Sequence, residues 1–252
     1  MSTALCQVIS ENCRPSMSHL PAMNRSSTFV DLRADAPVIL PSLLLCDFGN
    51  LEREIRAVEA AGAKTLHLDI MDGHFVPNIT YGFTIVEAVR RITDLALDVH
   101  LMIANPARYA VQFVEAGASL ITIHAEAVDD PRPILEDIRA AGAAAGVAFN
   151  PPTPVSAIEP ILDACDYVLA MTVMPGYGGQ TFTESVLEKV RLLREMLPPD
   201  AMIEVDGGIN DDTIARAAAA GAEMFVVGSG IFKTPDYALS MNKLRQLAQQ
   251  KK

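Results

Sequence analysis

Four side chains in this sequence are of the types that bind metal ions and move protons: His67, Asp69, His100 and Asp206. His67 and Asp69 lie in the apolar run Thr65-Leu66-His67-Leu68-Asp69-Ile70-Met71. On a strand, alternate side chains share a face, so His67, Asp69 and Met71 point the same way. An imidazole and a carboxylate are costly to bury without a partner. A hydrogen-bonded His–Asp pair in the core would satisfy them, and so would a bound metal ion. Leu97–Met102 carries His100 and Met102 in the same alternation, and Met202–Asp206 ends on the second carboxylate. Two imidazoles and two carboxylates drawn from three strands suit one divalent ion. Without a thiolate in the set, Zn, Fe(II), Mn and Co all remain open.

Two carboxylates around a dication leave the centre near neutrality. Such a centre can accept a neutral sugar ketone and stabilise the anion made from it. Glycines supply a second function. Pro175-Gly176-Tyr177-Gly178-Gly179-Gln180, Asp206-Gly207-Gly208 and Gly228-Ser229 each follow an apolar run. Their backbones can approach an anion closely, which suits a phosphate, although each taken singly would also serve as a tight turn. A phosphate clamp beside a metal and two aspartates points to proton transfer α to a carbonyl. Acid/base groups on opposite faces invert a stereocentre, whereas one group on one face moves the carbonyl. A free aspartate, with a pKa of about 3.9, is a poor base, so its surroundings must tune it. Met71, Met102 and Met171 stand at strand ends. Their sulfurs would line the space around a planar enediolate, or simply fill gaps.

The elements that must position these residues follow a regular alternation. Strands are expected at Val38–Pro41, Thr65–Met71, Leu97–Met102, Leu120–His124, Ala145–Asn150, Tyr167–Thr172, Met202–Asp206 and Met224–Gly228. Helical stretches lie between them. Asp47 to Ala61 is one, with Asp47 as N-cap, and Gly62, Gly117, Gly142 and Gly221 serve as helix stops. A last helix is expected from Pro235 to Gln249. Eight strands alternating with eight helices is the count of a single (β/α)8 TIM barrel, whose active site lies at the C-terminal ends of the strands. A doubly wound open sheet is the competing architecture. The barrel domain spans residues 38–252. Residues 1–37, rich in Ser, Asn and Pro, read as a flexible extension or a strap across the barrel bottom.

Half of the 252 residues are hydrophobic and the net charge is −11, with no basic stripe. That argues against nucleic acid and anionic membrane as partners. Cys6, Cys13, Cys46 and Cys165 form no C-x-x-C pair, which fits a reducing, cytoplasmic setting. No apolar run reaches the roughly 18 residues of a membrane span, and the N-terminus lacks a secretory apolar region. A homo-oligomer is expected.

With these residues in hand, the chain resembles the ribulose-phosphate 3-epimerase family from about Val38 onward. The resemblance rests on Pro41-Ser42-Leu43-Leu44, the stretch His67 to Asn78, Asp98-Val99-His100-Leu101-Met102 and Phe149-Asn150-Pro151. It continues through Met171-Thr172-Val173, Pro175 to Gln180, Val205-Asp206-Gly207-Gly208-Ile209 and Val227-Gly228-Ser229. It implies interconversion of D-ribulose 5-phosphate and D-xylulose 5-phosphate, in the pentose phosphate pathway and in carbon fixation. It implies metal ligation by His67, Asp69, His100 and Asp206, with Asp69 as proton acceptor and Asp206 as proton donor. Ser42, His100 and Asp206 would contact substrate. Gly176, Tyr177, Gly178, Gly179, Gly207, Gly208, Gly228 and Ser229 would clamp its phosphate. A sister family acting on D-allulose 6-phosphate shares the metal ligands and is the alternative, with a non-catalytic phosphosugar-binding barrel behind it. The chain departs from the family pattern at Leu45, where a hydroxyl is usual, at Met174, and in its N-terminal extension.

Overall fold

Eight short apolar runs become eight parallel strands in the computed structural model, which describes residues 26–250. They are β1 (Val38–Pro41), β2 (Thr65–Met71), β3 (Ala96–Met102), β4 (Leu120–His124), β5 (Ala144–Phe149), β6 (Tyr167–Met171), β7 (Met202–Asp206) and β8 (Met224–Val227). Hydrogen bonding runs β1-β8-β7-β6-β5-β4-β3-β2, and β1 lies in register with β8 from Val38↔Met224 to Pro41↔Val227. One parallel bridge, Ser42↔His67, joins β1 to β2 and completes the ring. The seam therefore closes at the level of the residues singled out above.

Outside the ring stand α2 (Leu51–Ala60), α3 (Phe83–Ile92), α4 (Pro106–Glu115), α5 (Arg132–Ala140), α6 (Val186–Met196), α7 (Ile214–Ala220), α8 (Ser229–Phe232) and α9 (Tyr237–Gln249); α1 (Ser27–Ala34) precedes the barrel. Their apolar faces meet the outward side chains of the strands. Ile55, Val58, Val89 and Ile138 pack with Leu66, Leu68, Val99 and Ile121 in one continuous core. All eight of these side chains are fully buried, so truncating one to alanine would cost about 2–5 kcal/mol for Leu or Ile. The expected glycine stops hold: Gly62, Gly117, Gly142 and Gly221 all take positive φ at helix ends.

Three local expectations are corrected. Asp47 caps a 3-10 turn, Phe48–Asn50, through the Gly49 N–H, and α2 proper begins at Leu51. The last helix begins at Tyr237 rather than Pro235, because Asp236 accepts the Leu239 N–H as N-cap. Between β5 and β6 there is no α-helix but two 3-10 stretches, Val155–Ala157 and Glu159–Ala164. Pro151, Pro152 and Pro154 remove three of four consecutive N–H donors, and Pro160 stands in the middle of what remains.

The lumen is layered. At its lower end, Phe29 and Leu32 of α1 pack with Leu40, Ala144, Tyr167 and Met202. Above them the lumen turns polar. Residues 1–25, with Cys6, Cys13 and most of the expected extension, lie outside the described residues.

Candidate active site

Parity on three strands brings the four singled-out side chains to one point. β2 turns His67 and Asp69 into the lumen, β3 turns in His100, and β7 ends on Asp206. One ligand atom from each lies within 4.8 Å of all the others. His67 Nε2 is 3.2 Å and His100 Nδ1 3.4 Å from Asp69 Oδ1, and His100 Nδ1 is 3.9 Å from Asp206 Oδ2. Both imidazoles are fully buried. His100 Nδ1 has no hydrogen-bond partner among the described residues, so a buried polar atom is aimed at the centre of the cluster. That orphaned nitrogen and the N2O2 donor set fit a divalent cation.

The far nitrogens are held from behind. His67 Nδ1 lies 2.6 Å from Asp98 Oδ2 and 3.4 Å from Glu204 Oε1. His100 Nε2 lies 2.8 Å from His124 Nε2, and His124 Nδ1 lies 3.2 Å from Glu126 Oε2. Each inward-facing ring nitrogen is thus oriented by a partner on the outer one, the arrangement that fixes a metal-ligating histidine. His124 has this supporting place and is not in the cluster itself.

The two aspartates differ in surroundings. Asp69 Oδ2 accepts the Ser42 hydroxyl at 2.8 Å. Burial opposes its ionisation, but the His67 charge, a hydrogen bond from His67 and the neighbouring His100 charge outweigh that and hold the carboxyl below the usual range. Asp206 has no such donors. Burial, reinforced by the Asp69 charge, pushes it up to about 7. One carboxyl is therefore kept ionised while its neighbour keeps its proton to near neutrality, the division of an acid/base pair. Burial works against a proton on His67, yet Asp69 and Asp98 raise it well above the ordinary histidine value. Burial pushes His124 down to about 4.

Above the cluster lies a cavity of about 200 Å³. Its wall takes in Ser42, Asp69, Met71, Met102, Met171, Gly176, Tyr177, Gly178, Gly179, Asp206, Gly207, Gly208, Gly228 and Ser229. His67 and His100 do not line it; of the cluster, only Asp69 and Asp206 reach the cavity wall. The Gly207-Gly208 turn demands glycine: both φ are positive, at 116° and 65°, and a Cβ on Gly208 would come within 2.8 Å of the Phe182 backbone nitrogen. The loop after β6 is clasped to the loop after β2. Asn78 Nδ2 donates to the Gly176 carbonyl at 2.8 Å, and the Tyr177 hydroxyl donates to the Pro77 carbonyl at 2.7 Å.

Sequence reasoning missed two groups. Leu44, Leu45, Val173 and Asn210 also line the cavity. Leu45 lies across both Gly178 and Gly228, where a Cβ would meet it at 3.1 and 3.0 Å. Leu44, Leu45 and Val173 are apolar and carry no chemical signal, so Leu45 stood out only as a departure from the family pattern; Asn210 lies just past the matched segment ending at Ile209. The second group is the buried polar set Asp98, Glu204, Tyr167 and Thr122, each fully inaccessible to solvent. A signal for two of these was present: Asp98 shares parity with His100, and Glu204 with Asp206. Burial and then the Asp98 charge push Glu204 well above the carboxylate range.

A model of the ribulose-phosphate 3 epimerase family matches residues 38–232. The chain is 48% identical over 215 residues to a ribulose-phosphate 3-epimerase of Mycobacterium tuberculosis, covering 84% of this chain and 93% of that protein. It is 47% identical over 211 residues to a ribulose-phosphate 3-epimerase of Bacillus subtilis, covering 82% and 97%. Among solved structures, 3-hexulose-6-phosphate synthase from Salmonella typhimurium superposes with a TM-score of 0.64 at 18% identity, over 85% of this chain and all of that one. At that identity the likeness carries the barrel fold alone.

Proposed function

The chain belongs to the ribulose-phosphate 3-epimerase family, and from that premise we propose that it inverts C3 of D-ribulose 5-phosphate, to and from D-xylulose 5-phosphate, with Asp69 and Asp206 as its two proton-transfer groups. It is an isomerase acting on carbohydrate phosphates. The observation that carries the mechanism is the placing of both carboxyls in one cluster with two buried imidazoles and at the wall of one cavity. Asp69 is held ionised by imidazole neighbours, while Asp206, its oxygen within 4.8 Å of the same cluster, is pushed up to about 7.

In one direction Asp69 takes the C3 proton, leaving a planar enediolate, and Asp206 gives its proton to the opposite face of C3. The turnover ends with Asp69 protonated and Asp206 ionised, the state that runs the reaction backward. Ser42 restrains Asp69 through its 2.8 Å hydrogen bond, so the base is presented in one orientation. Met71, Met102 and Met171 supply an apolar wall that keeps water from the enediolate. The glycine turns at Gly176–Gly179, Gly207-Gly208 and Gly228-Ser229 offer backbone N–H groups to the phosphate. His67, Asp69, His100 and Asp206 would hold one divalent ion, Zn, Fe(II), Mn or Co. Its charge, when it is bound, would stabilise the oxygens of the enediolate.

The same proposal includes a reducing, cytoplasmic setting, supported by the unpaired thiols of Cys46 and Cys165, and a homo-oligomer, supported by the exposed Leu192 and Leu239 on outer helices. Sedimentation tests the latter. Among the described residues no helix is long and apolar enough to cross a membrane.

Incubation with D-ribulose 5-phosphate in heavy water, with and without chelator, tests the reaction itself. Metal-dependent deuterium at C3 with xylulose 5-phosphate as product is expected. Exchange with D-allulose 6-phosphate but not with the pentulose would overturn the choice of sugar. Exchange with neither would leave a binder without turnover.

A further inference from the structure

The match to the family begins at residue 38, yet the eight-residue helix α1 before it reaches the machinery of the site. Phe29 of α1 is fully buried and stacks on Tyr167, with ring centroids 5.8 Å apart and planes inclined by 27°. A second contact also fixes the Tyr167 ring. It lies so close over Gly146 of the neighbouring strand that a Cβ there would come within 2.5 Å of it. Boxed in this way, Tyr167 extends its hydroxyl across the lumen. It accepts from the Thr122 hydroxyl at 2.7 Å and donates to Asp98 Oδ1 at 3.1 Å. With Oδ1 so occupied, Asp98 turns Oδ2 to His67 Nδ1 at 2.6 Å. A hydrogen held on Nδ1 leaves Nε2, the nitrogen facing Asp69, to carry the lone pair a metal needs.

We propose that α1 is a working part of the metal centre: Phe29 and Tyr167 are positioning residues that act through Asp98 to hold His67 with Nε2 toward the ion. Without Phe29 the lower face of the Tyr167 ring loses its cover, the phenol is free to swing, and water reaches Asp98 and competes for its oxygens. Asp98 then holds His67 less firmly. Val30, on the same helix but 52% exposed, has no part in this line.

The inference rests on the metal reading of the site, and its test separates the two. The full-length chain is loaded with zinc, and the rate of zinc loss to an excess of chelator is measured. His67 Nδ1–H exchange with solvent is followed by NMR in the same loaded protein. Tyr167→Phe keeps the ring and its stacking but loses the donated hydrogen bond; it is expected to release zinc about tenfold faster, with faster exchange at Nδ1. Phe29→Ala is expected to move both readouts the same way, and Val30→Ala neither. In the Tyr167→Phe background, Phe29→Ala is expected to add nothing, because it acts through the lost hydroxyl. If Phe29→Ala folds poorly, Phe29→Leu keeps the bulk, removes the ring stacking and takes its place in the cycle. Equal acceleration in both backgrounds, or wild-type release from all variants, would overturn the inference and leave α1 a plug. A wild-type chain that binds no zinc would overturn the metal reading as well.

Discussion

Asp69 and Asp206 are the same residue type in one cluster, and what separates them is the company each keeps. Asp69 is met by a hydroxyl and two imidazoles, whereas Asp206 meets mainly the charge of Asp69. Asp206→Asn is therefore expected to lower product formation by about 10²–10⁴-fold. C3 of the substrate should still exchange deuterium on the face served by Asp69. Near-normal turnover would sink the two-base mechanism. A second residue predicts the acid limb of stability. Burial opposes ionisation of Glu126, but hydrogen bonds from His124, the Asn150 N–H and Thr153 bring it down to about 2. A carboxyl held below its unfolded value, about 4.3, stabilises the fold above that pH. The stabilisation fades as pH falls toward about 2. Glu126→Gln should remove about 1–2 kcal/mol at neutral pH, discounted because the group is partly open to water. It should also flatten the urea-unfolding free energy between pH 4 and 2, and an unchanged acid slope would rule this source out. At this scale the four cluster residues were legible because alternation and residue type agree. Asp98 and Glu204 were equally legible by parity; Asp98 stands in a matched segment without a role attached to it, and Glu204 lies just before one. Leu45 was legible only as a departure from the family pattern, since its packing against Gly178 and Gly228 comes from two distant segments.

Strand positions were readable to within about a residue, for a physical reason. A strand buried on both faces must be a short apolar run, and glycine or proline punctuates each one. A helix was expected between β5 and β6 because the strand–helix alternation called for one, while the prolines there forbid it. The turn after β7 carries a test of its own. Gly208→Ala forces a side chain into a positive φ and against the Phe182 backbone. It is expected to cost about 1–3 kcal/mol in stability, and to raise KM for the phosphorylated sugar more than it lowers kcat. A KM equal to that of the wild type would remove this turn from the phosphate clamp. The helix α1 lay in a stretch read from composition as a flexible extension or a strap across the barrel bottom. Its few apolar residues show no long period, and its place is set by the open end of the barrel that Phe29 and Leu32 fill.

For the molecule as a whole, the cluster ties β2, β3 and β7 together, so an ion held there binds the folded state and not the unfolded chain. At a free concentration of about a thousand times Kd that is worth about 4 kcal/mol, and chelation should lower Tm by about ten degrees. A melting curve indifferent to chelator would argue against a preformed metal centre. The pairing of β1 with β8 has a consequence beyond stability. Ser42 N–H donates to the Val227 carbonyl at 3.0 Å, and the ring is sealed by Ser42 against His67. Strand β1 must wait for β8, made nearly two hundred residues later. Until residues near Val227 have cleared the exit tunnel, β1 has no partner on that side, and Asp206 arrives only shortly before. The nascent chain therefore spends most of its synthesis with His67 and His100 made but their centre unbuilt. Assembly of the site therefore follows the synthesis of β8, however early its first ligands are made.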